Sequence, residues 1–268
     1  MRNEREPLVR TVITWNVNGL RQRHAADEFL PIFRERPDIV CIQETKTPRE
    51  KIPHEIRHLS GYHVYCAPAA RGSFTEVMLF TRGRPVSVSY GLGDNKCPES
   101  DSRVIVADFN SFVLVNIYVP LGMPPVGTME RKLAFLDAFL ALAGDLNADG
   151  RPVITCGDFS VAHTDTDIDV IKKRTALRIG ATGVEREKID TLIGKGYRDM
   201  FRFFHKDDRE YTWWPNGFKI TERMRGYRLD YFFANERAVP CILGAEIQTT
   251  VEGSDHCPVA IQMLRQLP

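Results

Sequence analysis

Residues 101–120, DSRVIVADFNSFVLVNIYVP, decide the fold class. Two β-branched runs, RVIVADF (103–109) and FVLVNIYVP (112–120), flank Asn110 and Ser111. Asn and Ser favour tight turns, so the stretch reads as a β-hairpin. Runs of the same kind recur outward from it: TVITWNV (11–17), DIVCIQ (38–43), EVMLFTR (76–82), PVITCGDF (152–159), RLDYFFAN (228–235) and CPVAIQM (257–263). Several are apolar throughout, as expected of strands covered on both faces. Between them lie helical patterns. AADEFLPIFRER (25–36) sets Phe29, Ile32 and Phe33 at i, i+3, i+4; MERKLAFLDAFLALAGDLN (129–147) aligns Leu133, Leu136, Phe139 and Leu140; EREKIDTLIGKG (185–196) aligns Ile189, Leu192 and Ile193. The expected class is α/β, with two mixed sheets packed face to face and helices outside. With no linker, repeat or low-complexity tract, a flexible segment 1–10 and one domain, 11–268, are expected.

Composition removes other classes. The 268 residues are 43% hydrophobic and carry a net charge of +1, which argues against disorder and against nonspecific coating of nucleic acid. No run of about 18 apolar residues is present, so no ordinary membrane span is expected. The start, MRNEREPLVR, has no apolar core of the secretory type. The six cysteines form no C-x-x-C pair; Cys41 and Cys156 sit in apolar runs and read as buried free thiols of a reducing, cytoplasmic compartment. Charge is unevenly spread: residues 172–237 hold 16 Lys+Arg against 10 Asp+Glu, a net of +6.

Polar residues recur where the strands end, which is where α/β sheets build sites. TVITWNVNG ends in Asn16 and Asn18, IVCIQETK in Glu44, and VITCGDFS in Asp158 and Ser160. Tyr118 lies in NIYVP, Asp230 inside RLDYFF, and Asp255 and His256 precede the last run. Each has a plain structural explanation, as a turn residue, a cap or a core tyrosine. Asp230 is the hardest to dismiss, because a buried carboxylate is costly unless paired. As a set they have a chemical logic. Glu44 with Asn and Asp neighbours makes an oxygen-donor site suited to Mg²⁺ or Mn²⁺. Asp158 can accept a proton from water, Tyr118 can donate to a phosphoryl oxygen, and His256 beside a carboxylate can stabilise charge. Together they describe metal-assisted hydrolysis of a phosphate ester.

The ordered series TWNVNGLR, QETK, NIYVP, GDFS-VAHTD, YTWW, RLDYFF and GSDHCPV resembles the exonuclease III family of apurinic/apyrimidinic endonucleases, from about Val12 to Met263. The resemblance implies a four-layer α/β sandwich with its site at one end of the sheets. It implies a Mg²⁺-dependent DNA-repair nuclease that cuts 5′ to abasic sites and leaves a 3′-hydroxyl, with 3′-exonuclease or 3′-phosphodiesterase activity beside it. Carried over by position, Asn16, Asn18, Glu44, Asp158 and Asp255 would be metal-side residues. Tyr118, Asp158, Ser160, Asp230 and His256 would be catalytic. Arg21, Lys46, Trp213, Tyr227, Arg228 and Leu229 would meet DNA, with Trp213, Tyr227 and Leu229 lining a pocket for an extrahelical abasic sugar. The implied partner is double-stranded DNA with abasic or 3′-blocked lesions, bound by a monomer away from any membrane, in the cytoplasm or, in a prokaryote, on the nucleoid.

The departures from the family pattern matter as much. Ser160 stands where the family has Asn after the Gly-Asp pair, which replaces an amide donor by a shorter hydroxyl. Leu121 stands where Asn is common after NIYVP, and Glu76 falls in a loop near the expected phosphate track. Lys172, Lys173, Arg174 and Arg178 replace an Asn-rich stretch. Two alternatives follow: a DNA-binding member with weakened catalysis, or a related phosphoesterase acting on a sugar phosphate, lipid or RNA.

Overall fold

A computed structural model describes residues 9–69, 74–93, 97, 100–123, 128–169, 180–215 and 225–265. Among the described residues, twelve strands form two six-stranded sheets. The first contains β1 (Val9–Asn16), β2 (Ile39–Thr47), β3 (His63–Cys66), β4 (Thr75–Thr81), β11 (Ile242–Ile247) and β12 (Val259–Leu264), in the order β11-β12-β1-β2-β4-β3. The second contains β5 (Ser87–Tyr90), β6 (Val104–Asp108), β7 (Val113–Tyr118), β8 (Val153–Asp158), β9 (Tyr197–Asp199) and β10 (Asp230–Asn235), in the order β5-β6-β7-β8-β10-β9. Each sheet is built around one parallel pair, β1/β2 and β7/β8, with antiparallel neighbours. The expected hairpin is β6/β7. Asn110 takes φ +67° at its turn, and the Ser111 amide donates to the Phe109 carbonyl over 2.8 Å.

Burial explains the apolar runs. One core cluster, with Val12, Leu79, Leu114, Phe232 and Ile261, fills the space between the sheets. A second lies under α4 (Met129–Ala148) and α5 (Gly183–Gly194), and a third covers the outer face of the first sheet. Two sheets and two outer layers give the four-layer sandwich. Cys41 and Cys156 are buried and free. In α4 the Thr128 side chain caps the Arg131 amide, and Phe135, Leu136, Phe139 and Leu140 turn onto the second sheet. No helix among the described residues is long and apolar enough to cross a membrane.

Two boundaries differ from expectation. Val9 and Arg10, placed in a flexible segment, are strand residues that pair with Leu264 and Met263 of β12. Residues 25–36 do not form one helix. A short helix, α1 (Leu20–Ala25), precedes a separate 3₁₀ turn at Leu30–Phe33, and Asp27 between them takes φ +58°, a left-handed conformation that an α-helix does not hold. Phe29 and Phe33 still reach the core, with ring centroids 5.5 Å apart.

Buried polar pins fix the sheets against one another. The Gln43 amide on β2 donates to Thr14 Oγ1 over 2.8 Å and to Asn116 Oδ1 on β7 over 2.7 Å; Asn116 in turn donates to the Met78 carbonyl over 2.9 Å. A mispaired group here is costly, so the network specifies one alignment of the sandwich. That alignment sets the ends of the two parallel pairs opposite each other.

Candidate active site

Strand register assembles the site. Tyr118, Asp158 and Asp230 are partners across β7, β8 and β10. Asn16 ends β1 on the facing sheet, and its side-chain amide donates to Asp158 Oδ2 over 2.9 Å. The loop before β12 brings His256 against Asp230, Nδ1 to Oδ2 at 2.8 Å. Two side-chain bonds therefore cross between the sheets at one end of the sandwich. Asp158, Asp230 and His256 are all buried, with one ligand-type atom of each lying within 4.8 Å of the others.

The backbone around these groups is unusual. Seven described non-glycine residues have positive φ, and four of them lie here: Asn18, Glu44, Lys46 and Ser160. Such conformations cost of order 1–3 kcal/mol each and persist only where the surroundings impose them. In Ser160 the geometry is purposeful: its amide and its hydroxyl both donate to Asp158 Oδ1, over 2.6 and 3.1 Å. Gly157 has φ +136°, and a Cβ there would lie 1.9 Å from the Ile117 carbonyl oxygen, so only glycine lets β8 pass this close to β7.

Charge is concentrated. Burial, then the neighbouring Asp230, pushes the Asp158 carboxyl up to about 7, against the pull of His256 and Asn16. Burial would lower His256, but Asp230 above all, with Asp158 and Asp255, holds the imidazole up at about 10. Near neutrality the site thus holds an imidazolium beside an Asp158 carboxyl that is close to its midpoint. Asp255 is held below the usual carboxylate range: burial opposes this, and His256, Asn18 and Trp213 outweigh it. Tyr118 keeps its proton, because burial and then the Glu44 charge push it well up. It is a donor rather than a base.

The oxygen donors suit a hard cation. Asp230 Oδ1 is buried without a hydrogen-bond partner among the described residues. Beside this cluster, Lys46 Nζ rests 2.6 Å from Asn18 Oδ1 and 3.0 Å from Glu44 Oε1, so that group already attracts positive charge. Asn18 also donates to Asp255 Oδ1 over 2.8 Å, and Trp213 Nε1 donates to its Oδ2 over 3.0 Å. The buried acidic cluster could hold a metal ion.

A small apolar cluster adjoins it. Ala162, Tyr227 and Leu229 form a small separate cluster with Ile168 and Trp213 against them. Trp213 packs edge-on to Tyr227, at 5.3 Å between ring centroids, and lies 6.3 Å from the His256 ring. The sequence-derived set therefore comes together in large part: Asn16, Asn18, Glu44, Lys46, Tyr118, Asp158, Ser160, Trp213, Asp230, Asp255 and His256 form one connected group, with Tyr227 and Leu229 in the apolar cluster beside it. Arg21 is exposed on α1. Arg228 requires a correction. It was expected at a DNA surface but is fully buried, paired with Asp167 through Nε at 2.8 Å and with Asp199 through Nη2 at 2.6 Å. Arg228 lies just before β10, where its guanidinium meets Asp167 and Asp199 while Leu229 joins the apolar cluster of Tyr227 and Ala162. The basic stretch Lys172, Lys173, Arg174 and Arg178 lies outside the described residues.

Three contributors were not singled out from sequence. Arg103 stacks over the Tyr118 ring at 4.5 Å. Thr212 Oγ1 accepts from the amides of Leu229 and Asp230, at 2.9 and 3.1 Å. Ser254 Oγ donates to the Asn16 carbonyl over 2.8 Å and accepts from the His256 amide over 3.1 Å. Thr212 and Ser254 lie inside the YTWW and GSDHC motifs, so a signal existed; Arg103 had none beyond its place before a strand.

Comparison with known proteins bears on the whole arrangement. The model of the endonuclease/exonuclease/phosphatase family matches residues 13–256. Recombination repair protein 1 of Drosophila melanogaster is 36% identical over 253 residues, covering 93% of this chain but 36% of the fly protein, so the chain spans about a third of that relative's length. An exodeoxyribonuclease of Bacillus subtilis is 31% identical over 252 residues, covering 93% of this chain and 98% of its own. Among solved structures, an AP endonuclease from Archaeoglobus fulgidus superposes with a TM-score of 0.82 at 26% identity, covering 96% of this chain and all of that one.

Proposed function

The chain belongs to the endonuclease/exonuclease/phosphatase family, and from that premise we propose that it is a DNA-repair nuclease that hydrolyses the phosphodiester 5′ to an abasic site and leaves a 3′-hydroxyl. A 3′-exonuclease or 3′-phosphodiesterase activity would use the same groups on a strand end. The observation that carries this reading is the juxtaposition of the Asp158–Asp230–His256 cluster with the Trp213–Tyr227–Leu229 apolar cluster. A hydrolytic centre for a phosphate lies against a small apolar wall that suits a sugar lacking a base.

The residues divide the work by chemistry. Asp158, with its carboxyl raised towards neutrality, takes the proton of the attacking water. His256, an imidazolium fixed by Asp230, faces the charge that builds on the phosphoryl oxygens. Tyr118 donates to one of those oxygens. Asn16, Asn18, Glu44, Asp158 and Asp255 would hold Mg²⁺ or Mn²⁺, with Lys46 displaced from Glu44. When bound, the ion would supply Lewis-acid stabilisation of the leaving oxygen. Arg21 and Lys46 would contact backbone phosphates, and Trp213, Tyr227 and Leu229 would hold the extrahelical sugar. The partner is duplex DNA carrying abasic or 3′-blocked lesions, bound by a monomer in the cytoplasm.

Incubation with a duplex that carries one abasic-site analogue, in Mg²⁺, tests this. Expected is a single cut 5′ to the lesion, a 3′-hydroxyl product, and loss of cutting with EDTA or with Asp158→Asn. Folded protein that leaves the duplex intact at large enzyme excess would overturn it.

One observation favours a weaker catalyst. The Ser160 hydroxyl is engaged with Asp158 and is buried, so it does not present a free donor to the phosphate. Loss of one such donor costs about 2.7–4 kcal/mol in the transition state. Ser160→Asn should then raise turnover about 10-fold or more; an unchanged rate would remove this second reading.

A further inference from the structure

We propose that Lys132 is a positioning residue that sets the orientation of Asp158 through the backbone of Ser160, an inference that rests on Asp158 being the base. Lys132 lies in the first turn of α4, and both it and Glu185 of α5 are fully buried. Its ammonium bonds to Glu185 Oε1 and donates to the Ser160 carbonyl over 2.6 Å. Glu185 is itself fixed: its other oxygen accepts from the amide and hydroxyl of Thr182 over 3.0 and 2.7 Å, closing the capping box of α5.

A buried ion pair is weak evidence for stability, since apolar residues of the same volume often do as well or better. The third contact sets this pair apart. Ser160 holds φ +50°, and in that conformation its amide and hydroxyl turn onto Asp158 Oδ1 while its carbonyl points back to Lys132. The preceding residue is equally held, since Phe159 packs edge-on against Phe139, Tyr231 and Phe233. The neighbourhood leaves the contact no slack. A Cβ on Gly122 would lie 2.8 Å from Lys132 Cδ, and a Cβ on Gly180 would lie 2.1 Å from the Ser160 carbonyl oxygen. Glycines therefore box in both the lysine stem and the carbonyl it holds. Without the ammonium, Ser160 loses the partner that opposes relaxation out of the left-handed region, and Asp158 loses two donors on one oxygen.

The test compares Lys132→Met with the double variant Lys132→Met, Glu185→Gln, reading thermal midpoint, kcat and KM on the abasic duplex, with Asp158→Asn alongside. The single variant leaves a buried carboxylate unpaired and should lose both stability and turnover. The double variant removes both charges, while its Gln keeps the capping box, so its midpoint should return towards that of the parent. Its kcat should nevertheless stay about 10- to 100-fold low, the scale expected of a base misplaced by about an ångström. KM should change by no more than about twofold. A double variant with parental kcat overturns the proposal. Retained turnover in Asp158→Asn would instead overturn the reading of the base, so the two failures are distinguishable. If neither Lys132 variant folds, the parent carries the test in a ¹⁵N-lysine spectrum. Lys132 should give a slowly exchanging ammonium signal that shifts in Asp158→Asn, and a signal indifferent to that substitution overturns the proposal.

Discussion

Replacing Arg228 by Met separates a DNA contact from a structural role. The guanidinium is fully buried and pairs with Asp167 and Asp199, and it lies 4.4 Å from the Tyr231 ring centroid. Asp167 is also bound by Arg202, so it keeps one cation in the variant, whereas no ion pair other than that with Arg228 joins Asp199 among the described residues. Truncating one member of a buried pair typically costs about 3–5 kcal/mol, because the remaining charge stays desolvated. At about 2–4 °C per kcal/mol for a chain of this size, the thermal midpoint at pH 7 should fall by roughly 6–20 °C. The pH dependence has a definite sign. Burial opposes ionisation of Asp167, but the Arg228 charge and the bonds from Arg228 and Arg202 outweigh it and hold the carboxyl well below the usual range. A depressed carboxylate contributes stability above its unfolded pKa of about 4 and loses it as pH falls below that value. The gap between parent and variant should therefore be full at pH 7 and 5 and narrow towards pH 3. Calorimetry supplies the midpoints, and fluorescence anisotropy against salt supplies the second arm. A phosphate contact would reduce the salt slope of binding by about one; a buried ion pair leaves it unchanged. An unchanged midpoint with a reduced slope would refute the structural assignment.

Further predictions follow from the same geometry. Asp230→Asn removes the main group holding His256 protonated, so the His256 pKa measured by NMR should fall from about 10 and kcat should drop by about 10²-fold or more; a pKa still near 10 would sink that account of the pair. Gly157→Ala drives a methyl into the Ile117 carbonyl and should abolish activity or folding, which near-parental turnover would contradict. Trp213→Phe keeps a ring against Tyr227 but removes the donor to Asp255; stability should change by about 1 kcal/mol, the usual worth of one such bond, and turnover should fall. Arg21→Ala, on an exposed side chain, should weaken DNA binding and lower its salt slope by about one without changing the melting midpoint.

The central strands were legible in the sequence, and the edges were not. All eight strands read from apolar runs exist, and the four that were missed, β3, β5, β9 and β11, are the four sheet edges. An edge strand is covered on fewer sides, so it carries no continuous apolar signature. Ser87–Tyr90 is largely exposed, and Ile242–Ile247 mixes buried with exposed positions. The helix of 129–147 was legible because its buried face repeats from Lys132 to Ala143, about three turns. The stretch 25–36 reads as one helix because Phe29, Ile32 and Phe33 satisfy helical spacing whether or not the backbone follows it, and Asp27 at φ +58° breaks it.

The sequence by itself determined which chemistries the chain carries, because Asn16, Glu44, Tyr118, Asp158, Asp230 and His256 each fall at a strand end or inside a strand, where side chains have few ways to point. It determined the family for the same reason, since those residues recur in fixed order within apolar strands. Tertiary structure alone decided which of them meet. Asn16 reaches Asp158 across 142 residues, and Gln43 reaches Asn116 across 73, because two sheets pack in a single alignment. It alone decided that Arg228 turns to Asp167 and Asp199 while Leu229 packs with Tyr227 and Ala162, since those partners come from distant parts of the chain. It also decided that Lys132, in the first turn of a helix, holds the Ser160 carbonyl two residues from Asp158, because that contact depends on where a helix lies over a sheet, which no local pattern of residues encodes.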